Sequence, residues 1–256
     1  MKNFRQHQHR PKKSTLVIGA NAVIDALGTG KQLERIYLQN NYPTDTGDKL
    51  RKMAADHGVP VNKVPVEKIN GFNIGDHDGC VAVIARIQYQ DLQQVISFTF
   101  DRGRTPLFII LDGITDIRNI GGIARTAFCC GVQAIIIPEK GVGSLNEDAI
   151  LTSAGALEKL AICRTPALTQ AADLLHLNGI KVFASDMNAE ESLLAVDFTE
   201  PCAIVLGSEE KGITPALVKQ CDISFSIPMK GNFDSFNVSV AAGIILFESM
   251  KQRKFA

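Results

Sequence analysis

The sequence predicts an α/β protein with two domains, the second of which is built on a mainly parallel sheet. The chain has 256 residues, which is enough for one large domain or two small ones. From residue 107 onward, short apolar runs typical of strands alternate with segments of helical periodicity. That alternation favours parallel strands joined by helices. No apolar run reaches the roughly 18 residues that a membrane-spanning helix needs.

The boundary between the two domains is predicted at residues 97–106, where Asp, Arg, Gly and Pro collect between two patterned regions. The chain is therefore divided into a basic flexible arm at 1–13, a small α/β domain at 14–96, a linker at 97–106 and a second domain at 107–256.

In the first domain, the expected helices end at glycines and the last expected strand is apolar enough to be central. Strands are predicted at 15–19, 35–38, 61–64 and 80–87, and helices at 20–27 and 48–57. This domain shows no pairing of a nucleophile with a base in its sequence, so binding fits it better than catalysis.

In the second domain, strands are predicted at 107–111, 134–138, 161–164, 181–185, 203–206 and 223–228. Helices are predicted at 120–130, 147–157, 168–177, 215–220 and 237–251. In sheets of this kind, ligands bind beyond the carboxyl ends of the strands.

Charge is distributed unevenly along a chain whose net charge is zero. Residues 1–100 carry 13 basic and 9 acidic side chains (+4), and residues 101–256 carry 14 and 18 (−4). The arm contributes five basic residues and no acid. This pattern favours contact with a polyanion, although a solvated tail explains a short arm equally well.

Cysteine and histidine predict no metal site, because their spacings do not match those of metal ligands. The six cysteines lie mostly in apolar segments and are expected to be reduced. No apolar block follows the charged N-terminus, so a cytoplasmic location is expected. The chain also lacks the glycine patterns of dinucleotide sites and P-loops.

Polar residues follow three of the predicted strands. After the strand predicted at 107–111, Asn119 is expected to cap a helix that contains the adjacent glycines Gly121 and Gly122. Glycine is costly in a helix, so this pair predicts a close backbone approach. Arg125 projects roughly 130° from the middle of the apolar stripe of that helix, towards solvent, a ligand or a second subunit.

Polar residues also follow the strands predicted at 203–206 and 223–228. Gly207 follows an apolar strand, where it would let a ligand or another chain segment lie against the backbone, and Glu209 could bind a cation or a donor. Ser235 and Asn237 are candidate caps of the last helix. That helix is apolar almost all round, so it is expected to pack on its own sheet and on a second subunit.

Together, these segments resemble the signature motifs of the SpoU (TrmH-type) branch of the SPOUT RNA methyltransferases. The matching residues are Asn119-x-Gly121-x-x-x-Arg125, then Leu206-Gly-Ser-Glu209, then Ile227-Pro-Met229 with Ser235-Phe236-Asn237-Val-Ser-Val. The segments at 16–23 and 76–83 look like the substrate-binding domain that precedes the catalytic domain in the RlmB-like members.

The resemblance implies a C-terminal trefoil knot, a homodimer formed through the C-terminal domain and S-adenosylmethionine as the cofactor. It assigns catalysis to Arg125, Asn119, Glu209, Ser235 and Asn237, with Arg125 reaching the partner's site. Binding of the cofactor falls to Gly207, Ile227 and Phe236 through backbone groups, with Leu206 and Met229 lining the pocket.

This chain departs from the family pattern at three places, with Ile117-Arg118 before Asn119, Glu210 after the motif glutamate, and Phe236 in place of leucine. None of the three removes a proposed catalytic side chain. The expected activity is 2′-O-methylation of a guanosine in large-subunit rRNA. The alternatives are a tRNA ribose methyltransferase and a non-catalytic RNA-binding protein that keeps the fold.

Overall fold

The computed structural model describes residues 15–143, 145, 147–231 and 235–254. The predicted basic arm, residues 1–13, lies outside the described residues. The chain divides into two compact units, and the division falls between Arg86 and Ile87.

The first unit is a four-stranded sheet with helices packed against it. Its elements are β1 (Leu16–Ile18), α1 (Ala20–Gly28), β2 (Leu33–Gln39), α2 (Thr44–Asp56), β3 (Val61–Val64), α3 (Val66–Asn70) and β4 (Cys80–Ile84). As predicted, β4 is central, because it pairs antiparallel with both β1 and β2. α3 was not predicted, because its five residues are too few to show a helical period.

The second unit is built on an eight-stranded sheet. Its elements are β5 (Tyr89–Gln90), α4 (Leu92–Asp101), β6 (Leu107–Asp112), α5 (Ile117–Cys129), β7 (Ala134–Pro138), α6 (Glu147–Thr152), β8 (Ala161–Thr165), α7 (Leu168–Leu177), β9 (Lys181–Ser185), β10 (Glu191–Ser192), β11 (Cys202–Gly207), α8 (Pro215–Val218), β12 (Ile223–Ser226) and α9 (Val238–Gln252). The strand order is β10-β12-β9-β11-β6-β7-β8-β5.

Every neighbouring pair in the eight-stranded sheet is parallel, which confirms the predicted fold class. β11 lies between β6 and β9, two strands that come before it in the chain. The trefoil knot stays a prediction.

The structure places a helix where the linker was predicted. α4 begins at Leu92 and ends at Asp101, and its N-cap is Asp91, whose side chain accepts a hydrogen bond from the Gln94 backbone N–H. Leu92, Val95 and Ile96 of this helix are buried in the core of the second unit. Burial of this apolar stripe stabilises a helix through residue 101, although the sequence there contains turn-forming residues. Only residues 102–106 therefore connect α4 to β6.

The central strands of the second unit are buried on both faces, as expected for a parallel sheet covered by helices. On β6, the side chains of Leu107, Ile109 and Leu111 join one core cluster with residues of α5 and α9. Phe108 and Ile110 join the opposite cluster with residues of α4, α7 and α8. Because the strands are parallel, the segments that follow β6, β11 and β12 meet at one edge of the sheet.

Two predicted helices are shorter than expected. The segment 147–157 forms α6 as far as Thr152, and the chain then turns through Ala154 and Gly155, both with positive φ. The segment 215–220 forms a helix only as far as Val218. In both cases, apolar spacing continued past the point where the backbone leaves the helix.

Candidate active site

A cleft of about 320 Å³ opens at the carboxyl edge of the eight-stranded sheet. Its volume lies within the range of small-molecule sites, about 300–1,000 Å³. All five residues predicted to hold a cofactor line this cleft, namely Leu206, Gly207, Ile227, Met229 and Phe236.

The cleft combines apolar walls with acidic side chains. Val238 and Ala241 of α9 add to its apolar surface. Three carboxylates line it, those of Asp186, Glu209 and Glu210, and Lys211 is its one cationic lining residue in the described part of the chain. This arrangement suits a ligand that has an apolar ring system and carries positive charge.

A hydrogen-bonded network joins three predicted catalytic residues beside the cleft. Glu209 Oε1 accepts from Asn119 Nδ2 at 3.2 Å and from Asn237 Nδ2 at 2.6 Å. Asn237 Nδ2 also donates to Asn119 Oδ1 at 3.0 Å. The structure therefore brings together residues that lie 90 and 118 positions away from Asn119 in the chain.

The same carboxylate oxygen lies at the start of α9. Glu209 Oε1 accepts from the backbone N–H of Val238 at 3.2 Å. Asn237 is the N-cap, as predicted, and its Oδ1 accepts from the backbone N–H of Ser239. A negative charge at this end of a helix is favourable, because the free N–H groups carry partial positive charge. Ser235 lines the cleft but does not cap the helix.

The prediction that Asn119 is the N-cap of the helix containing Gly121 and Gly122 is wrong. α5 begins three residues earlier than expected, with Asp116 as its N-cap accepting from the Arg118 backbone N–H. The side-chain hydrogen bond from Arg118 lowers the pKa of the Asp116 carboxyl below its usual value. Because Asp116 takes the capping role, the Asn119 amide is free to bind Glu209 and Asn237.

The close backbone approach predicted at Gly121 is confirmed. A Cβ on Gly121 would lie 2.7 Å from Thr152 Cγ2 and 3.0 Å from the Ser153 backbone nitrogen, so no larger residue fits where α6 packs on α5. At Gly207, a Cβ would collide with the backbone of Gly212 and Ile213. Of the two possibilities left open for Gly207, the described structure shows a chain segment against its backbone.

Arg125 does not join the network of its own chain. Its side chain is exposed, as the helical periodicity predicted, and it forms no hydrogen bond or ion pair with another described residue. Any contact that it makes with a reacting group requires that group, or a second subunit, to come to it.

The residues that follow β9 were not predicted from the sequence to belong to the site. Asp186, Met187 and Asn188 line the cleft, and Asp186 Oδ1 accepts from the Asn188 backbone N–H at 2.9 Å. The signal was present, since Asp186 directly follows an apolar strand, as Glu209 nearly does. Without a motif match, that segment did not stand out from other strand ends.

We expect Glu209→Gln to lower the free energy of unfolding by about 1–2 kcal/mol, because the variant removes the charge that accepts three hydrogen bonds at the start of α9. Chemical denaturation of the purified protein measures this. Glu210→Gln is the matched control, since Glu210 is exposed and makes no hydrogen bond in the described structure. Equal stability of the two variants would contradict the prediction.

Two features are absent from the described residues. No helix combines the length and the apolar character needed to cross a bilayer. No group of three or more His, Cys, Asp or Glu side chains is arranged to hold a metal ion.

Comparison with family models gives two matches along the chain. Residues 106–247 match the SpoU rRNA methylase family, and residues 16–90 match a model described as RNA 2′-O ribose methyltransferase substrate binding. The match at 16–90 falls mostly in the first structural unit, and the match at 106–247 falls within the second.

Similar proteins are found in bacteria. YacO of Bacillus subtilis, provisionally named a TrmH family tRNA/rRNA methyltransferase, is 32% identical over 93% of this chain and 95% of its own length. A Staphylococcus aureus protein with the same provisional family name is 31% identical over 94% of this chain and 97% of its own.

Solved structures of similar fold include the SpoU methyltransferase AviRb from Streptomyces viridochromogenes in complex with AdoMet. It superposes with a TM-score of 0.61 at 22% identity and covers 94% of this chain and 91% of its own. A TrmH/SpoU tRNA modifying enzyme from A. aeolicus has a TM-score of 0.55 at 27% identity, and covers 63% of this chain and 85% of its own.

Proposed function

Because this chain belongs to the SpoU rRNA methylase family, and is thereby an S-adenosylmethionine-dependent RNA methyltransferase, we propose that it methylates a ribose 2′-hydroxyl of large-subunit (23S) rRNA, with guanosine as the target. The observation that carries the proposal is the meeting of Asn119, Glu209 and Asn237 beside a cleft of suitable chemistry.

The presence of the first unit favours rRNA over tRNA as the substrate. The A. aeolicus tRNA modifying enzyme and a structure described for methylation of C/U34 on tRNA cover only 63% and 59% of this chain. An rRNA methyltransferase from Sinorhizobium meliloti covers 93% of it, with a TM-score of 0.58. A tRNA ribose methyltransferase is the second candidate, since the curated relatives are named for both RNA classes.

The cleft residues fit S-adenosylmethionine, which supplies an activated methyl group when bound. The adenosyl part is offered apolar surface and backbone groups by four lining residues, Leu206, Ile227, Met229 and Phe236. Gly207 also lines the cleft, where it exposes backbone atoms because it has no side chain. The negative charges of the Asp186 and Glu210 carboxylates attract the positively charged sulfonium.

Arg125 acts on the RNA rather than on the cofactor. A guanidinium is a poor base, because it stays protonated at neutral pH. It can grip a phosphate next to the target ribose through two parallel hydrogen bonds, and its charge then favours loss of the hydroxyl proton. Asn119, Glu209, Ser235 and Asn237 orient the RNA and the cofactor. Much of the rate then comes from alignment.

The active form is a homodimer that pairs through α9 and α5 of the second unit. α9 is buried on the side that faces its own sheet, but Val240 and Phe247 on its outer side are 50% and 56% exposed. Phe128 of α5 is 44% exposed. A second copy covers these apolar side chains and presents its Arg125 to the partner's cleft.

We expect Phe247→Glu to convert the dimer to a monomer, because it places a charge in the apolar patch that the second copy covers. Multi-angle light scattering measures the mass in solution. Phe98→Glu is the control, since Phe98 is 60% exposed on α4. A wild-type protein of 27.7 kDa in solution would exclude the dimer.

The N-terminal arm supplies the electrostatic part of RNA binding. Residues 15–86 carry eight basic and eight acidic side chains, so the positive excess of the first half comes from the arm. Phosphate contacts of this kind weaken with added salt. Recognition of a 2′-hydroxyl restricts the substrate to RNA. The cytoplasmic location stays a prediction.

The test is the transfer of labelled methyl from S-adenosylmethionine to unmodified 23S rRNA and, separately, to tRNA transcripts, with Arg125→Ala as the control. The expected result is label in 23S rRNA at a linkage that resists alkaline cleavage, because methylation blocks the hydroxyl that attacks the phosphate. Label in tRNA alone would overturn the rRNA assignment in favour of the second candidate. A wild-type protein that binds RNA but neither binds the cofactor nor transfers label would favour a non-catalytic RNA-binding protein.

A further inference from the structure

A buried carboxylate lies at the end of β6, outside the residues so far assigned to the site. Asp112 is the last residue of β6 and is only 6% exposed. Its Oδ2 accepts a hydrogen bond from the backbone N–H of Thr214 at 2.7 Å. In the parallel register, Asp112 lies beside Gly207 of β11.

The hydrogen bond closes the loop that forms one wall of the cleft. This loop, residues 208–213, contributes each of its six residues to the lining and carries Glu209. Ser208 and Gly212 pair across it, with N···O distances of 3.1 and 2.9 Å. Thr214 directly follows the loop, so Asp112 holds its far end beside the strand from which it starts.

Burying a carboxylate at this place is costly unless its hydrogen bonds compensate for lost water. The strand itself does not require the carboxylate, because the backbone of β6 pairs with β11 on one side and with β7 on the other. An apolar residue would continue the buried pattern of Leu107–Leu111 more cheaply. The carboxylate therefore has a local task, which is to accept the Thr214 N–H.

We propose that Asp112 is a positioning residue that sets the affinity for S-adenosylmethionine by fixing loop 208–213 against Gly207. This inference rests on the proposed function, since it takes the cleft to be the cofactor site. Without the bond to Thr214, the loop end is free to move away from β6. The wall of the cleft and Glu209 then lose their fixed place, and cofactor binding must first order the loop.

The experiment compares three variants by calorimetric titration with S-adenosylmethionine. Asp112→Ala removes the acceptor, and we expect its Kd to rise about tenfold, as for loss of a charge-assisted hydrogen bond. Asp112→Asn keeps an oxygen acceptor, so its Kd stays within about threefold of wild type. Thr99→Val is the matched control, because Thr99 is 3% exposed and donates a buried hydrogen bond to Val95 within α4.

Hydrogen exchange of the protein without cofactor gives a second readout. We expect the amides of Ser208 and Gly212 to exchange faster in Asp112→Ala, and at the wild-type rate in Thr99→Val. Thr214→Pro gives an independent route, because it removes the N–H at a residue whose φ is already −61°. Thr214→Ala keeps the N–H and is its control. These variants keep the proposal testable if Asp112→Ala does not fold.

Wild-type affinity and wild-type exchange in Asp112→Ala would overturn the inference. An equal loss of affinity in Thr99→Val would also overturn it, because the effect would then follow from general stability. A wild-type protein that binds no S-adenosylmethionine would instead refute the proposed function. In that case faster exchange in Asp112→Ala would still show that Asp112 holds the loop.

Discussion

Replacing Gly207 with alanine is expected to abolish cofactor binding and to lower the free energy of unfolding by about 3 kcal/mol. A Cβ at this position would collide with the backbone of Gly212 and Ile213 rather than with a side chain that could turn away. Either the loop over Gly207 must move or β11 must shift in the centre of the sheet. Denaturant unfolding and calorimetric titration with S-adenosylmethionine measure the two effects.

Gly243→Ala is the matched control for this variant. Gly243 lies within α9 of the same unit, and a Cβ there would meet only Thr126 Cγ2, at 4.0 Å. Alanine is favoured over glycine inside a helix by about 1 kcal/mol, so this variant is expected to equal or exceed the wild type in stability. Wild-type stability together with wild-type cofactor affinity in Gly207→Ala would refute the contact between Gly207 and the loop.

Replacing Arg125 with alanine is expected to reduce the rate of methyl transfer about 10²–10³-fold, the usual loss when one stabilising donor is removed from a reacting centre. The affinity for S-adenosylmethionine is expected to stay within about twofold of the wild type, because Arg125 lies outside the network beside its own cleft. Single-turnover methylation of the RNA substrate and titration with the cofactor separate the two quantities. Loss of cofactor affinity equal to the loss of rate would show that Arg125 acts on the cofactor.

Mixed dimers test whether Arg125 serves the partner's cleft. A dimer of one Arg125→Ala subunit and one Gly207→Ala subunit contains one intact cleft, and that cleft belongs to the Arg125→Ala subunit. If Arg125 acts across the interface, this cleft receives the partner's intact arginine, and mixing two inactive proteins restores activity. If Arg125 acts within its own subunit, the mixture stays inactive.

Six of the eight strands in the second unit could be located closely from the sequence, because their apolar runs are bounded by polar and glycine-rich segments. β5 and β10 were not predicted, since two residues are too few to show such a run. β7 and β9 have the predicted bounds. The order of strands could not be predicted from periodicity, because a pattern of buried residues does not say which strand is the neighbour. Placement of β11 between β6 and β9 is decided by contacts that are distant in the chain.

The contrast between local sequence patterns and contacts distant in the chain also explains which site residues were predicted correctly. Arg125 was expected to be exposed, since its direction follows from local helical geometry alone. The capping role predicted for Asn119 was wrong, because Asp116, another good capping residue, caps the helix three residues earlier. Asp186 and Asp112 were missed because their roles depend on the loops that fold over them. The residues of the cleft were assigned through the family resemblance, and the structure places them together.

β11 lies between two strands that are synthesised before it, and this order affects the protein during its synthesis. Asp112 and its register partner Gly207 are about 95 residues apart in the chain. At a translation rate of about 5–20 residues per second, the side of β6 that β11 will occupy therefore stays without its strand for roughly 5–19 seconds. Unpaired edges of apolar strands associate with other chains. Yield during rapid expression is therefore expected to depend on temperature and on chaperones that cover such edges until β11 emerges.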